Sequence, residues 1–330
     1  MSLAALWYRA NWLVWGLWPL ALLYRSLTAL RRLAYRLGWL RVYRAPVPVI
    51  VVGNISVGGN GKTPVVIWLI EVLRQAGYHP GVVSRGYGGR ADRYPLQVTA
   101  MTPASACGDE PKLIFRRCGC PVVVSPRRAE AIACLLAGGE VDVVISDDGL
   151  QHYAMARDIE LVVVDGERRF GNGHLLPMGP LREGLGRLAQ VDAILCNGGV
   201  VAAGEYPMQL IADSLRPVGS STHLQPPVPG EEVDAMAGIG HPPRFFTTLQ
   251  TLGYRLRQAV AFADHQAFDL EALQQQFAAR PLLMTEKDAV KCSQTTRQDW
   301  WYLPVSAQLP PTLLEKIIRL LKEKKHGPRS

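Results

Sequence analysis

The sequence predicts an α/β protein: a P-loop-containing unit with a mostly parallel sheet, a smaller α/β unit after it, and an N-terminal membrane-surface helix. Three observations predict this. From 47 to 197, short β-branched runs alternate with helix-like runs, the pattern of βαβ units. A stretch rich in Pro, Gly and Ser, 214–231, then interrupts the alternation before it resumes for about a hundred residues. Finally, the first 70 residues hold eight Lys/Arg, no acid, and a cluster of tryptophans. The expected division is therefore 1–45 (anchor), 46–213 (nucleotide-binding unit), 214–231 (hinge) and 232–330 (smaller unit).

A chain of 330 residues can bury one large or two medium cores. Its net charge of +8 lies wholly in the N-terminus, because the remaining 260 residues carry 28 Lys/Arg and 28 Asp/Glu. That balance disfavours a nucleic-acid surface. The six cysteines show no zinc spacing, and Cys134 and Cys196 read as small core residues, as expected in a reducing, cytoplasmic compartment.

Within the anchor, Trp12 to Tyr24 is apolar for 13 residues, roughly 20 Å as a helix and short of the ~30 Å hydrocarbon core. Charges follow this segment rather than precede it, unlike a signal peptide. Trp7, Trp12, Trp15, Trp18 and Trp39 suit the headgroup level, and the cations Arg9 and Arg25 to Arg44 suit anionic lipid. The bland alternative is a helical hairpin packed on the protein's own core.

The apolar run from Val47 to Val52 leads into Ser56-Val57-Gly58-Gly59-Asn60-Gly61-Lys62-Thr63 and then a helix-like run, Val65 to Leu73. Strand, glycine-rich loop, Lys-Thr and helix make a P-loop. The glycines let backbone N–H groups approach phosphate oxygens, Lys62 can reach the β- and γ-phosphates, and the Thr63 hydroxyl can ligate Mg²⁺. Ser56 stands where such loops usually have their first glycine.

Further strands are expected at 81–84, 121–125, 141–146, 160–165 and 192–196, with helices at 63–76 and 127–137. The strand at 141–146 runs into Asp147-Asp148, where carboxylates can hold Mg²⁺ beside a phosphate loop, and Gln151 and His152 follow on the same rim. Asp-Asp-Gly is also ordinary turn chemistry. Gly108-Asp109-Glu110-Pro111 precedes a helix-like segment and reads equally as an N-terminal cap or as a base that accepts a hydroxyl proton. Arg85-Gly86-Tyr87-Gly88 and the segment from Asp165 to Glu183 are loops too rich in Arg to be mere connectors. In the second block, strands are expected at 233–237, 256–261, 281–284 and 300–304 and helices at 242–252, 269–278 and 310–323, with Asp264-His265 in a β–α loop. The basic tail, Lys322 to Arg329, reads as solvated.

Together these segments resemble one family closely, the tetraacyldisaccharide 4′-kinases, which are the lipid A 4′-kinases of Gram-negative bacteria. The resemblance runs through Gly53 to Pro64, Ser84 to Gly88, Gly108 to Pro111, Asp147 to His152, Leu176-Pro177, Gly179 to Glu183, Ala237 to Pro242, Asp264-His265 and Thr285 to Lys291. Ser56 belongs to that family's own loop. The resemblance implies two α/β/α subdomains with the site in the cleft between them, and ATP- and Mg²⁺-dependent phosphorylation of the 4′-hydroxyl of a tetraacylated glucosamine disaccharide 1-phosphate. It implies a monomer held peripherally at the cytoplasmic face of the bacterial inner membrane. By motif, it assigns the loop from Ser56 to Thr63 to nucleotide, Lys62 also to catalysis, and Thr63, Asp147 and Asp148 to the metal. Gln151, His152 and Glu183 become contributors to metal or nucleotide organisation. Asp109 becomes the base, oriented by His265, and Arg128 and Arg85 face substrate charge. The rival reading is a membrane-associated P-loop regulatory ATPase; those loops carry an extra lysine where this chain has Val57.

Overall fold

The computed structural model describes residues 6–8, 12–219 and 224–326, so Arg9, positions 220–223 of the expected hinge and positions 327–330 of the basic tail lie outside the described residues. A 3-10 turn, Trp12–Leu17, runs directly into helix α1 (Trp18–Arg36). The chain then forms β1 (Val49–Gly53), α2 (Lys62–Gln75), β2 (Pro80–Ser84), β3 (Leu96–Gln97), the single turn α3 (Ala104–Cys107), α4 (Asp109–Cys118), β4 (Val122–Val124) and α5 (Arg128–Leu136). Strands β5 (Val143–Asp147), β6 (Ile159–Asp165), β7 (Ala193–Asn197), β8 (Tyr206–Ala212) and β9 (Arg216–Pro217) follow. The second block adds β10 (Glu232–Ala237), α6 (Pro242–Thr251), β11 (Arg255–Ala261), α7 (Leu270–Gln276), β12 (Leu282–Thr285), α8 (Glu286–Lys291), β13 (Trp300–Leu303), β14 (Val305–Gln308) and α9 (Pro311–His326).

These strands make two sheets. One has nine strands in the order β14-β8-β7-β6-β1-β5-β2-β4-β3, all parallel except the two antiparallel edges, β14 and β3. The other has five, β11-β10-β12-β13-β9, again parallel except for its short edge β9. Alternation along β1 explains the layering, since successive side chains leave a strand on opposite faces. Ile50 and Val52 join Leu69 and Leu73 of α2, Ile114 of α4 and Leu313, Ile317 and Leu321 of α9 on one face. Val49 and Val51 join Ala131, Ile132 and Leu135 of α5 on the other. Being buried on both faces is why β1 and β4 read as Val/Ile runs and β5 and β6 as runs dominated by Val, Ile and Leu. Each such side chain removed from water contributes about 1.5–3 kcal/mol.

The topology fixes the site. β1 lies between β5 and β6, so the chain leaves β1 toward β2 on one side and later crosses over it to reach β6. The crevice at such a reversal, beyond the C-terminal ends of the strands, is where α/β sheets bind ligands. Val52 pairs with Asp147, which sets the end of β5 beside the loop that follows β1.

Two expectations are corrected. The C-terminal block does not stay in the smaller unit: β14 pairs with β8 in the large sheet, and α9 buries Leu313, Ile317 and Leu321 against it. β8 and β14 escaped sequence reading because both are short strands at an edge, with exposed and half-buried positions interleaved. Conversely β9, read as part of the hinge, pairs with β13.

The anchor helix is also longer than its apolar core. Trp12–Arg36 spans 25 residues with a mean hydropathy of 1.3 over its best 18-residue window, enough by length and composition alone to cross a membrane. Yet one face lies along the body. Val14 and Ala21 pack with Met178, Tyr24 Oη donates to the Arg182 carbonyl at 3.1 Å, and Arg32 stands 3.8 Å from Glu183. The opposite face exposes Leu20, Leu23, Leu27 and Leu30, together with Trp12 and Trp15, and Trp39 is exposed just beyond the helix. Trp7 departs from the headgroup reading: it is buried, and its indole donates to the Pro177 carbonyl at 3.0 Å.

Candidate active site

The loop after β1 is built to hold its backbone open. Gly58 and Gly61 take φ values of +104° and +91°, which only glycine adopts at little cost. Gly61 sits at the start of α2, where no side chain caps the helix, so the first helical N–H groups remain free to meet an anion. Ser56 and Asn60 turn inward as braces: Asn60 Nδ2 donates to Ser56 Oγ at 3.0 Å, and Asn197 Nδ2 donates to the Asn60 carbonyl at 3.1 Å. The Val57 N–H is already engaged with the Pro180 carbonyl at 2.8 Å. Arg168, tied to Asp165, donates to the Gly59 carbonyl at 2.6 Å. On the far side, Gly240 lies so close that a Cβ there would stand 2.5 Å from the Gly59 nitrogen.

The two acids after β5 have different surroundings. Asp148, in left-handed backbone at φ 47°, lies 3.6 Å from Lys62 Nζ and 3.1 Å from Arg182 Nη1. Burial pushes its pKa up, but Lys62 and Arg182 outweigh burial and hold the carboxyl below its usual range. Asp147 is fully buried, with Oδ2 accepting from Ser84 Oγ at 3.4 Å and Oδ1 without a hydrogen-bond partner. Burial, then Glu110 and Asp148, push it up to about 7 despite Lys62 and Arg128. His152 is driven the other way, down to about 4, by burial and by Arg128, Arg157, Arg31 and Arg85. It is therefore a neutral imidazole at physiological pH.

Of the other expected residues, Gln151 Nε2 bridges the Asn54 carbonyl at 3.0 Å and Glu183 Oε1 at 2.8 Å. Glu183 also accepts from the Tyr153 hydroxyl and lies 3.5 Å from Arg187, so its carboxylate is saturated by protein donors. Arg128, expected at substrate, is buried. Its guanidinium donates to the Ser125 and Asp147 carbonyls at 3.1 Å each, and burial lowers its pKa to about 10. Arg85 is exposed just past β2. Among the described residues, no group of three or more His, Cys, Asp and Glu gathers at metal-binding distance.

The facing rim comes from the smaller sheet. His265, at φ 61° in the loop after β11, places Nδ1 3.4 Å from Asp109 Oδ2, and the Tyr87 ring meets the imidazole edge-on at 4.9 Å. Asp109 begins α4 after Gly108, whose φ is +91° and which takes the N-cap position; no side chain caps the helix, so Asp109 meets the helix dipole from the first turn without capping it. Lys287 of α8 bonds Asp264 Oδ1 at 2.9 Å and Glu110 Oε1 at 3.2 Å. Between the rims lies a cavity of about 590 Å³ lined by Gly58 to Thr63, Asp148, Arg182, Arg244, His265 and Lys287. A second cavity, about 640 Å³, runs between α1 and residues 173–184, lined by Trp18, Leu22, Arg25 and Arg32, and Arg182 borders both cavities.

Sequence reading did not single out Arg182, Asn197 or Lys287 as individuals. Arg182 and Lys287 lay inside quoted motifs, while Asn197 had no signal beyond its place at the end of a strand.

Comparison with known proteins agrees with this geometry. The family model described as tetraacyldisaccharide-1-P 4′-kinase matches residues 13–322. Among curated relatives, the tetraacyldisaccharide 4′-kinase of Aeromonas hydrophila is 60% identical over 97% of this chain and 96% of its own. That of Tolumonas auensis is 58% identical over 98% of each, and that of Vibrio campbellii 53% over 96% and 94%. Among solved structures, the "apo" form of LpxK from Aquifex aeolicus in complex with ATP superposes with a TM-score of 0.76 at 26% identity, covering 94% of this chain and 99% of that one. A phosphate loop, a paired-acid rim and a facing Asp–His pair, matched over nearly the whole length, lead to one conclusion: this chain belongs to the tetraacyldisaccharide-1-phosphate 4′-kinase family.

Proposed function

We propose that this chain moves the γ-phosphate of ATP to the 4′-hydroxyl of a tetraacylated glucosamine disaccharide 1-phosphate, with Asp109 taking the hydroxyl proton. The observation that carries this reading is the cavity itself. Lys62 and the open N-terminus of α2 face His265 across one cleft, with Asp109 Oδ2 3.4 Å from that imidazole. In the reaction the 4′-oxygen forms a bond to γ-phosphorus as the bond to the β,γ-bridging oxygen breaks and ADP leaves. Lys62 and the α2 backbone offset the phosphate charge, and the hydroxyl proton passes to the Asp109 carboxylate. Nδ1 of His265, 3.4 Å from Oδ2, aims that carboxylate; contacts of this kind shorten when substrate closes the site.

The residues fit a bound Mg²⁺. Asp147 presents a buried carboxylate oxygen, Oδ1, without a hydrogen-bond partner, beside Asp148. Mg²⁺ characteristically takes one or two carboxylates and fills its other positions with water and phosphate, so a three-acid cluster is not required. Thr63, Asp147 and Asp148 would hold it, and when bound it supplies charge neutralisation on the β- and γ-phosphate oxygens. Gln151, held by Glu183, lies behind the metal position and aligns Arg182 and the Asn54 carbonyl, with the neutral imidazole of His152 next in the chain.

Arg182 supports the lipid side of the assignment, since it borders both the nucleotide cleft and the groove under α1. The exposed Leu/Trp face of α1 and its arginines support a peripheral position on an anionic membrane surface, at the cytoplasmic face where ATP is available. The test is incubation with γ-labelled ATP and the tetraacyl disaccharide 1-phosphate. Label on the lipid at a position distinct from the 1-phosphate is expected; release of label as free phosphate alone would overturn the reading in favour of an ATPase.

A further inference from the structure

The segment from Thr285 to Lys291 stands out in the sequence, yet none of its residues has a place in the mechanism above. Its fold is specific. Thr285 caps α8, with Oγ1 accepting from the Asp288 N–H at 3.2 Å, and the Asp288 carboxylate accepts from the Gly238 N–H at 2.9 Å. This fixes α8 to the end of β10 and drives Lys287 into the cleft, where its side chain is only 13% exposed.

Lys287 Nζ meets three groups: Asp264 Oδ1 at 2.9 Å, Glu110 Oε1 at 3.2 Å and His265 Nε2 at 3.3 Å. Burial disfavours its charge, but Glu110 and Asp264 raise its pKa above the ordinary value, so it is an ammonium. An ammonium has three donors and no acceptor. Nε2 can therefore only accept, and the ring proton of a neutral His265 must sit on Nδ1, the nitrogen facing Asp109. The alternative proton position has its own suitor, because Asp264 Oδ1 lies 3.8 Å from Nε2. Lys287 Nζ stands nearer to each of these atoms than they stand to one another.

We propose that Lys287 is a positioning residue for phosphoryl transfer, holding His265 in the Nδ1–H tautomer that aims Asp109 and anchoring that pair across the cleft through Glu110. The inference rests on Asp109 and His265 acting as proposed above. Lys287 exchanges no proton with substrate; the hydroxyl proton still ends on Asp109. Its neighbour Glu286 repeats the link with opposite sign, 2.7 Å from Arg117, seven residues and two helical turns after Glu110 on α4.

The experiment uses the full-length enzyme with ¹⁵N-labelled histidine, assigned through the His265→Gln variant. Wild type is expected to show His265 Nδ1 protonated and Nε2 unprotonated, whatever any variant does. Lys287→Met is expected to shift the ring to the Nε2–H form, now bonded to Asp264, and to lower kcat about 10- to 100-fold while KM for ATP stays within about twofold. Lys287→Arg is expected to keep the tautomer and recover most of kcat. An Nε2–H ring in wild type, or a Lys287→Met enzyme with unchanged tautomer and kcat, would overturn the proposal. Asp109→Ala separates the two ideas: if it is inactive while Lys287→Met is normal, only the role of Lys287 falls; if it turns over normally, the base assignment itself falls.

Discussion

The two rims of the cleft are made by opposite means. On the large sheet, the phosphate-binding rim is a contiguous loop from Ser56 to Thr63, held by backbone conformation and by inward-facing polar side chains such as Asn60. The facing rim is a set of charges drawn from distant places where the two sheets meet: Asp109 and Glu110 of α4 from the large unit, and Asp264, His265, Glu286 and Lys287 from the small one. A loop of the first kind is specified by local geometry. A cluster of the second kind exists only when two sheets meet, and each charge faces a partner from another segment of the chain. The first rim suits binding a phosphate chain common to many reactions; the second suits choosing where one proton goes.

Replacing one residue on each rim gives the largest effects. Lys62→Ala removes the cation proposed to meet the phosphates and Asp109→Ala the proposed proton acceptor, and each should lower kcat by at least about 10³-fold. Circular dichroism should show a folded protein in both cases, and turnover near wild type in either would contradict the division of labour between rims.

A stability measurement sharpens the contrast. Asp147 has its pKa raised to about 7 by burial and by Glu110 and Asp148, so the metal-free folded state binds its proton more tightly than the unfolded chain does. Below about pH 4 both states are protonated and the residue is neutral in its effect. As pH rises toward 7 the folded state loses stability, and above 7 the penalty is complete. Asp147→Asn should therefore stabilise the metal-free protein by on the order of 2–4 kcal/mol at pH 8 and by little at pH 4, read from urea midpoints. A gain independent of pH would show that packing, not charge, is responsible.

Smaller effects are expected away from the cleft floor. Substituting Ser for Trp12, Trp15 and Trp39, all more than half exposed, should weaken binding to anionic vesicles about tenfold while ATP affinity stays unchanged. Retained vesicle binding would shift the anchor to the arginines alone. Smallest is Glu286→Gln, which removes one of the three ion pairs between α8 and α4. A loss of about 1–2 kcal/mol in global stability is expected, with little change in KM for ATP. A large change in ATP affinity would mean the rims are coupled more tightly than the separate bonding patterns indicate.

The sequence by itself determined the α/β class, the strand–loop–helix of the phosphate site and the acids at the end of β5. In each case the cause is local: buried parallel strands need unbroken apolar runs, and a loop that wraps phosphate needs glycine at left-handed positions. Asp109 shows the limit, since as a sequence feature it was equally a helix cap and a base. Only the tertiary structure brought His265 to its side, turned Arg128 and Trp7 inward against expectation, and set Arg182 where the groove under α1 meets the cleft beside the glycine-rich loop. It also returned β14 and α9 to the large sheet, so that the last strand of that sheet comes from the far end of the chain. Long-range pairing of this sort follows from which edges and faces remain unburied after the local elements form. No window of sequence contains that information.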